Sequence, residues 1–359
     1  MNRKGVKMKR KGIWLLSITV AALLVLAGCG EEKKKVELKD EPYIKSEVIM
    51  GTIVKLKVYD KDKEAALDKG FKRIRELAIK IDINNEFKQE SEVDKINAAS
   101  GIKPVSVDKN IYKLIKRGIL YSKETGGSKD ITIGPITLLW HIGFPDAKKP
   151  TDKEIKERLP LVGYQNVVLN DKEHSVFLKK KGMKLDLGGI AKGFIADEVQ
   201  KVFNKEGVQS SIIDLGGNVL IHGNSPSGDV FKVGIQDPFS SRGQLIGYLP
   251  AHNKSIVTSG IYERYLEADG VKYHHLFDPK TGYPFKNNIA GVSIISDKSL
   301  TGDGLSSAAF SEGIKNGLAF IEKQKGVEAI FVSKDKKVYI TSGLKGKFHL
   351  TAKNFHMAK

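Results

Sequence analysis

Asp303 and Ser307 lie four residues apart in Thr301-Gly-Asp-Gly-Leu-Ser-Ser-Ala-Ala-Phe310. If a helix begins near Gly304, a carboxylate at its mouth and a hydroxyl in its first turn point the same way. Such hard oxygens suit Mg²⁺ and the phosphates that Mg²⁺ carries. Far upstream, Lys184-Leu-Asp-Leu-Gly-Gly-Ile-Ala-Lys-Gly193 reads as a short strand, Met183 to Leu187, turning through two glycines into a helix. Bare amides at a helix start attract an anion, and Lys192 in the first turn adds charge to the same place. A metal-holding end and a phosphate-cradling end suggest chemistry on a nucleotide diphosphate.

A second glycine pair, Asp214-Leu-Gly-Gly-Asn218, falls between two strands and reads as a bulge or hairpin turn. Tyr273-His-His-Leu-Phe-Asp-Pro-Lys-Thr-Gly282 carries two adjacent histidines. In a strand they point to opposite faces, so at most one can face a given site. His275 is open to two readings, a satisfied structural group or a proton acceptor beside a ligand loop. Asp278, Pro279 and Gly282 supply turn chemistry immediately after it. There is no Gly-x-x-x-x-Gly-Lys-Ser/Thr phosphate loop, no Gly-x-Ser-x-Gly elbow and no His-Glu-x-x-His motif. A single cysteine, Cys29, excludes both paired-cysteine metal sites and internal disulfides.

Stepping along the chain, apolar Leu67, Phe71, Ile74, Leu77 and Ile81 recur at helical spacing. Ile111 to Ile119 does the same and stops at Gly126-Gly127, and Thr151-Asp-Lys-Glu154 is a capping box. Glu47 to Tyr59 alternates and reads as one strand. From Asn166 onward come short β-branched runs, interrupted by helices at Ile190–Phe203 and about Leu305–Lys323. Strands in runs with few helices indicate an α+β class, a single domain of mixed sheets with flanking helices.

The amino terminus differs in kind. Six basic residues between Arg3 and Lys11 precede an apolar run from Ile13 to Leu26, as in an export signal. Leu26-Ala-Gly-Cys29 resembles a bacterial lipobox, which implies cleavage before Cys29, lipid on its sulfur and a membrane-anchored, extracytoplasmic protein. The expected division is a signal peptide over 1–28, a lipidated charged tether over 29–45 and a folded domain over 46–359. Net charge is +18, of which the acid-free signal contributes six, leaving +12. The lysines are dispersed without a recognition motif, so nucleic acid is not an expected partner.

Eight segments, in order, resemble the ApbE family of flavin transferases. They are Met50-Gly-Thr52, Ser91–Asn97, Asp130–Trp140, Asp186–Gly193, Leu215–Asn218, Thr258–Tyr265, His275–Gly282 and Asp303–Ser307. The resemblance implies an ApbE-type, T-fold-like domain that moves FMN from FAD to a Thr or Ser of an acceptor protein, releasing AMP. It implies Mg²⁺ held by Asp303, Ser307 and the carbonyl of Gly189. FAD would be lined by Met50, Phe87, Ser128, Lys129, Asp130, Asp186, Lys192, Leu276 and Phe277, with His275 as base or proton relay. The acceptor expected for an exported lipoprotein is an exported redox protein.

Overall fold

Alternating apolar residues build one long sheet whose strands follow in chain order. They are β1 (Leu38–Ile49), β2 (Thr52–Asp60), β3 (Ser211–Leu215), β4 (Asn218–His222), β5 (Ser255–Gly260), β6 (Ile289–Ser296), β7 (Glu328–Ser333), β8 (Lys337–Ile340) and β9 (His356–Met357). Each pair is antiparallel except β8 and β9, which run parallel. The computed structural model describes residues 37–358; the signal segment and Cys29 lie outside the described residues.

Three smaller sheets and eight α-helices lie among the other described residues, the helices being α1 (Ala65–Ile81), α2 (Glu92–Ala98), α3 (Lys109–Glu124), α4 (Gly134–Trp140), α5 (Asp152–Arg158), α6 (Gly188–Lys205), α7 (Ser299–Ser311) and α8 (Gly313–Glu322). The apolar stripe of α1 buries Leu67, Phe71, Ile74 and Leu77 in the same core as Val199 and Phe203 of α6 and Val54 and Leu56 of β2. On the other face of the sheet, Ile256, Ile295 and Ile330 meet Phe231, Val233, Ile246 and Leu249 of a smaller three-stranded sheet. Every residue of β6 is buried, because both faces of that strand are covered. A third cluster packs Ile136, Trp140, Ile155 and Phe277 together, and the Trp140 indole donates to the Gly282 carbonyl at 2.9 Å. The α+β expectation holds.

Four local expectations change. The alternation from Glu47 to Tyr59 is a hairpin: Met50 and Gly51, both at positive φ, form a two-residue turn between the paired Ile49 and Thr52. Two consecutive positive φ values give the turn whose twist matches the strands it joins. β1 also begins at Leu38, inside the stretch read as tether. Met183 to Leu187 is not a strand; it makes one isolated bridge, Ile133 to Lys184, as it passes the start of α4. The long helix over 305–323 is two helices, and α7 starts at Ser299, so Asp303 and Ser307 lie inside it rather than at its mouth.

Candidate active site

The site is built where α6 and α7 cross. A Cβ at Gly193 would stand 2.4 Å from the Ser299 carbonyl oxygen and 2.7 Å from Asp303 Cβ. Only glycine lets the backbones approach so closely. The Gly193 amide donates to Asp303 Oδ2 at 2.8 Å, which fixes the carboxylate against the first turns of α6. One helical turn further along α7, Ser307 lies on the same face as Asp303.

Three oxygens converge beside that contact: the Gly189 carbonyl, the Asp303 carbonyl and Ser307 Oγ. The ammonium of Lys129 sits among them and donates at 2.7, 3.2 and 2.6 Å respectively. Its three N–H groups meet three acceptors. Burial is the main influence on this amine and brings its pKa down to about 8, against the attraction of Asp303. Among the described residues no three His, Cys, Asp or Glu side chains cluster as a metal site. The three converging oxygens are two backbone carbonyls and a hydroxyl, and the Asp303 carboxylate is held at the same crossing by the Gly193 amide. All of these are hard oxygens, with a cation already resting among the first three. The donor set therefore fits Mg²⁺ in kind.

The start of α6 faces the same space. Gly188 and Gly189 are exposed there, and the Gly188 amide is taken by Asp186 Oδ1 at 2.8 Å. Lys192 stands at the same end, where the helix field already favours an anion. Across from it, Asp130 holds its loop rather than offering free oxygens. Its carboxylate accepts from Thr132 N, Thr132 Oγ1 and Tyr164 N at 2.7 to 2.9 Å. Next to it, Ser128 Oγ is buried without a hydrogen-bond partner among the described residues. A polar atom left so is costly unless something else satisfies it.

The two histidines separate as the strand geometry requires. His274 is spent on structure: Nε2 donates to the Phe285 carbonyl at 3.0 Å and Nδ1 accepts from Leu276 N at 3.2 Å. His275 Nδ1 lies 3.2 Å from the Arg264 carbonyl. A carbonyl can only accept, so Nδ1 carries the proton and Nε2 keeps its lone pair for the cleft. Burial, reinforced by Lys192 and Arg264, pushes the His275 pKa down to about 3. The imidazole is neutral at physiological pH.

All thirteen candidate residues within the described chain line one cleft of about 320 Å³. Lys129, Asp186, Gly189, Lys192, Asp303 and Ser307 form its polar wall. Met50, Phe87, Leu276 and Phe277 give it an apolar one, with Ser128, Asp130 and His275 completing the lining. Arg264 was not among the expected residues. Its guanidinium donates to the Met50 and Gly51 carbonyls at 3.0 and 3.2 Å, while its own carbonyl orients His275. One residue thus ties the hairpin tip to the histidine. The segment Thr258–Tyr265 signalled it, but nothing in that string says which atoms Arg264 reaches. Glu86 holds the same tip through the Met50 amide at 2.8 Å.

The family model described as "ApbE family" matches residues 50–331. The chain belongs to the ApbE family. A FAD:protein FMN transferase of Klebsiella pneumoniae strain 342 is 38% identical over 300 residues, covering 84% of this chain and 92% of the relative. One of Treponema pallidum strain Nichols is 32% identical over 349 residues, covering 92% and 94%. The solved ApbE protein of Thermotoga maritima superposes with a TM-score of 0.78 at 30% identity, over 86% of this chain and 99% of that one. The flavin transferase ApbE of Vibrio cholerae, at 24% identity and a TM-score of 0.75 over the same shares, bears on the fold alone. The ApbE match begins at Met50, the residue at the cleft's hairpin tip.

Proposed function

We propose that this chain is a FAD:protein FMN transferase that moves FMN onto a Thr or Ser hydroxyl of an acceptor protein. The observation that carries the reading is the shared cleft: a neutral His275, a hard-oxygen cation site and an anion-attracting helix start open into one space. Its relatives carry the transferase name over nearly their whole length.

The apolar wall of Met50, Phe87, Leu276 and Phe277 suits a flat aromatic ring. The start of α6 and Lys192 suit the pyrophosphate. Mg²⁺ held by Asp303, Ser307 and the Gly189 carbonyl would neutralise charge on the phosphoryl group under attack and on the departing AMP. His275 Nε2 accepts the proton of the incoming hydroxyl as its oxygen bonds to the FMN phosphorus. The bond from that phosphorus to the bridging oxygen breaks, and AMP leaves with the bridging oxygen. The proton on His275 passes to solvent or to AMP. A weakly basic imidazole limits how much proton transfer runs ahead of bond formation, in keeping with a loose phosphoryl transition state.

We also propose that the protein is exported and anchored through a lipid on Cys29, on the strength of the Leu-Ala-Gly-Cys sequence. Among the described residues no helix is long and apolar enough to cross a membrane. Product analysis tests the function: AMP must appear in step with a flavinylated acceptor, whereas an FAD hydrolase would yield AMP and free FMN.

A further inference from the structure

The cation site raises a question of occupancy. Lys129 is 8% exposed and reaches across from the loop before α4 to oxygens of both α6 and α7. A buried ammonium costs stability unless every proton is matched, and here each one is. Gly189 leaves room for it, since a Cβ there would lie 3.3 Å from Nζ. The three oxygens stand 2.6 to 3.2 Å from Nζ, spacings proper to N–H···O bonds. Mg²⁺ would draw its ligands to about 2.1 Å. The Gly189 carbonyl and Ser307 Oγ belong both to the ammonium's partners and to the oxygens assigned to the metal, and two cations cannot share them in a buried site without strong repulsion.

We infer that the Lys129 ammonium is the resident cation of this site in the metal-free protein, and that a divalent ion enters only by displacing it. This rests on the metal reading of Asp303, Ser307 and Gly189 given above. Lys129 holds α6 and α7 at their working separation before metal arrives and raises the threshold for metal entry. The site then selects an ion able to replace three charge-assisted hydrogen bonds.

Mn²⁺ binding to the whole protein without FAD, followed by loss of the free-ion EPR signal, tests it. Lys129→Met should bind Mn²⁺ at least tenfold more tightly than the unaltered protein, and Asp303→Asn should lose binding in both backgrounds. Equal or weaker binding by Lys129→Met, with the unaltered protein still binding, overturns the displacement while leaving the metal site standing. No Asp303-dependent binding in either protein overturns the metal reading and the displacement with it. A second measurement needs no variant. Amine labelling mapped by mass spectrometry should find Lys129 protected without metal and at least several-fold more reactive with saturating Mg²⁺. A labelling rate indifferent to Mg²⁺ contradicts the proposal.

Discussion

His275 acts through the proton it does not carry. The Arg264 carbonyl fixes the tautomer, so the lone pair on Nε2 is free at neutral pH. Replacing His275 by Gln keeps a polar side chain but removes the base. Transfer should fall by about 10²- to 10⁴-fold, the usual contribution of general base catalysis, with little change in FAD affinity. Single-turnover rates beside equilibrium FAD binding would separate the two effects. Because the His275 pKa lies near 3, the transfer rate should show no limb at 6.5 from this group. The sequence made both histidines visible, but not their roles. Those depend on Phe285 and Arg264, whose carbonyls each reach one ring through the fold.

At the scale of elements, the close crossing of α6 and α7 is what places Asp303 and Ser307 beside Gly189. Gly193→Ala puts a methyl against the Ser299 carbonyl, where the backbone cannot yield cheaply. Overpacking of this kind costs about 1–3 kcal/mol. A lower melting temperature and weaker Mn²⁺ binding should appear together; a loss of stability alone would separate the crossing from the site. Glycines also explain what could not be read ahead. Gly302 and Gly304 are poor helix formers, so nothing in the string marks a helix already under way at Ser299. In the fold they are interior positions of α7 where a Cβ would strike Val257 and the Tyr121 ring. The Met50-Gly51 turn was hidden for another reason. Ile49 pairs with Thr52, so the inward face passes from odd to even positions across the turn, but apolar Val48 continues the even series while lying on the exposed face and so masks the switch. By contrast, the start of α6 was legible because its apolar stripe begins immediately after Gly188-Gly189. Lys129 in the oxygen site was not legible at all, since its partners lie 60 and 178 residues away.

For the whole molecule, buried His274 and half-buried His275 make stability depend on pH. Burial holds His274 near 4 and His275 near 3, against about 6.5 when unfolded. As pH falls below about 6.5 the unfolded chain takes up protons that the folded chain refuses, so stability is full above that pH and declines below it. Each such histidine adds a slope of up to about 1.4 kcal/mol per pH unit. Denaturant midpoints between pH 7 and pH 4.5 should drop steadily, and His274→Gln should flatten that slope. An unchanged slope would mean that His274 titrates normally in the folded state. The proposed lipid anchor belongs to this scale too. Cys29→Ala should move the protein from the membrane fraction to the soluble fraction of exported material; persistence in the membrane would contradict lipid attachment at Cys29.

Transfer is tested by incubating the protein with FAD, Mg²⁺ and an acceptor protein bearing an exposed Thr or Ser. Mass spectrometry of the acceptor and quantification of AMP would follow, with Asp303→Ala in parallel. Transferase action predicts an FMN adduct on a hydroxyl, one AMP for each adduct, and loss of both products with Asp303→Ala or without Mg²⁺. AMP and free FMN without an adduct on any acceptor, or an adduct indifferent to Asp303, would contradict it.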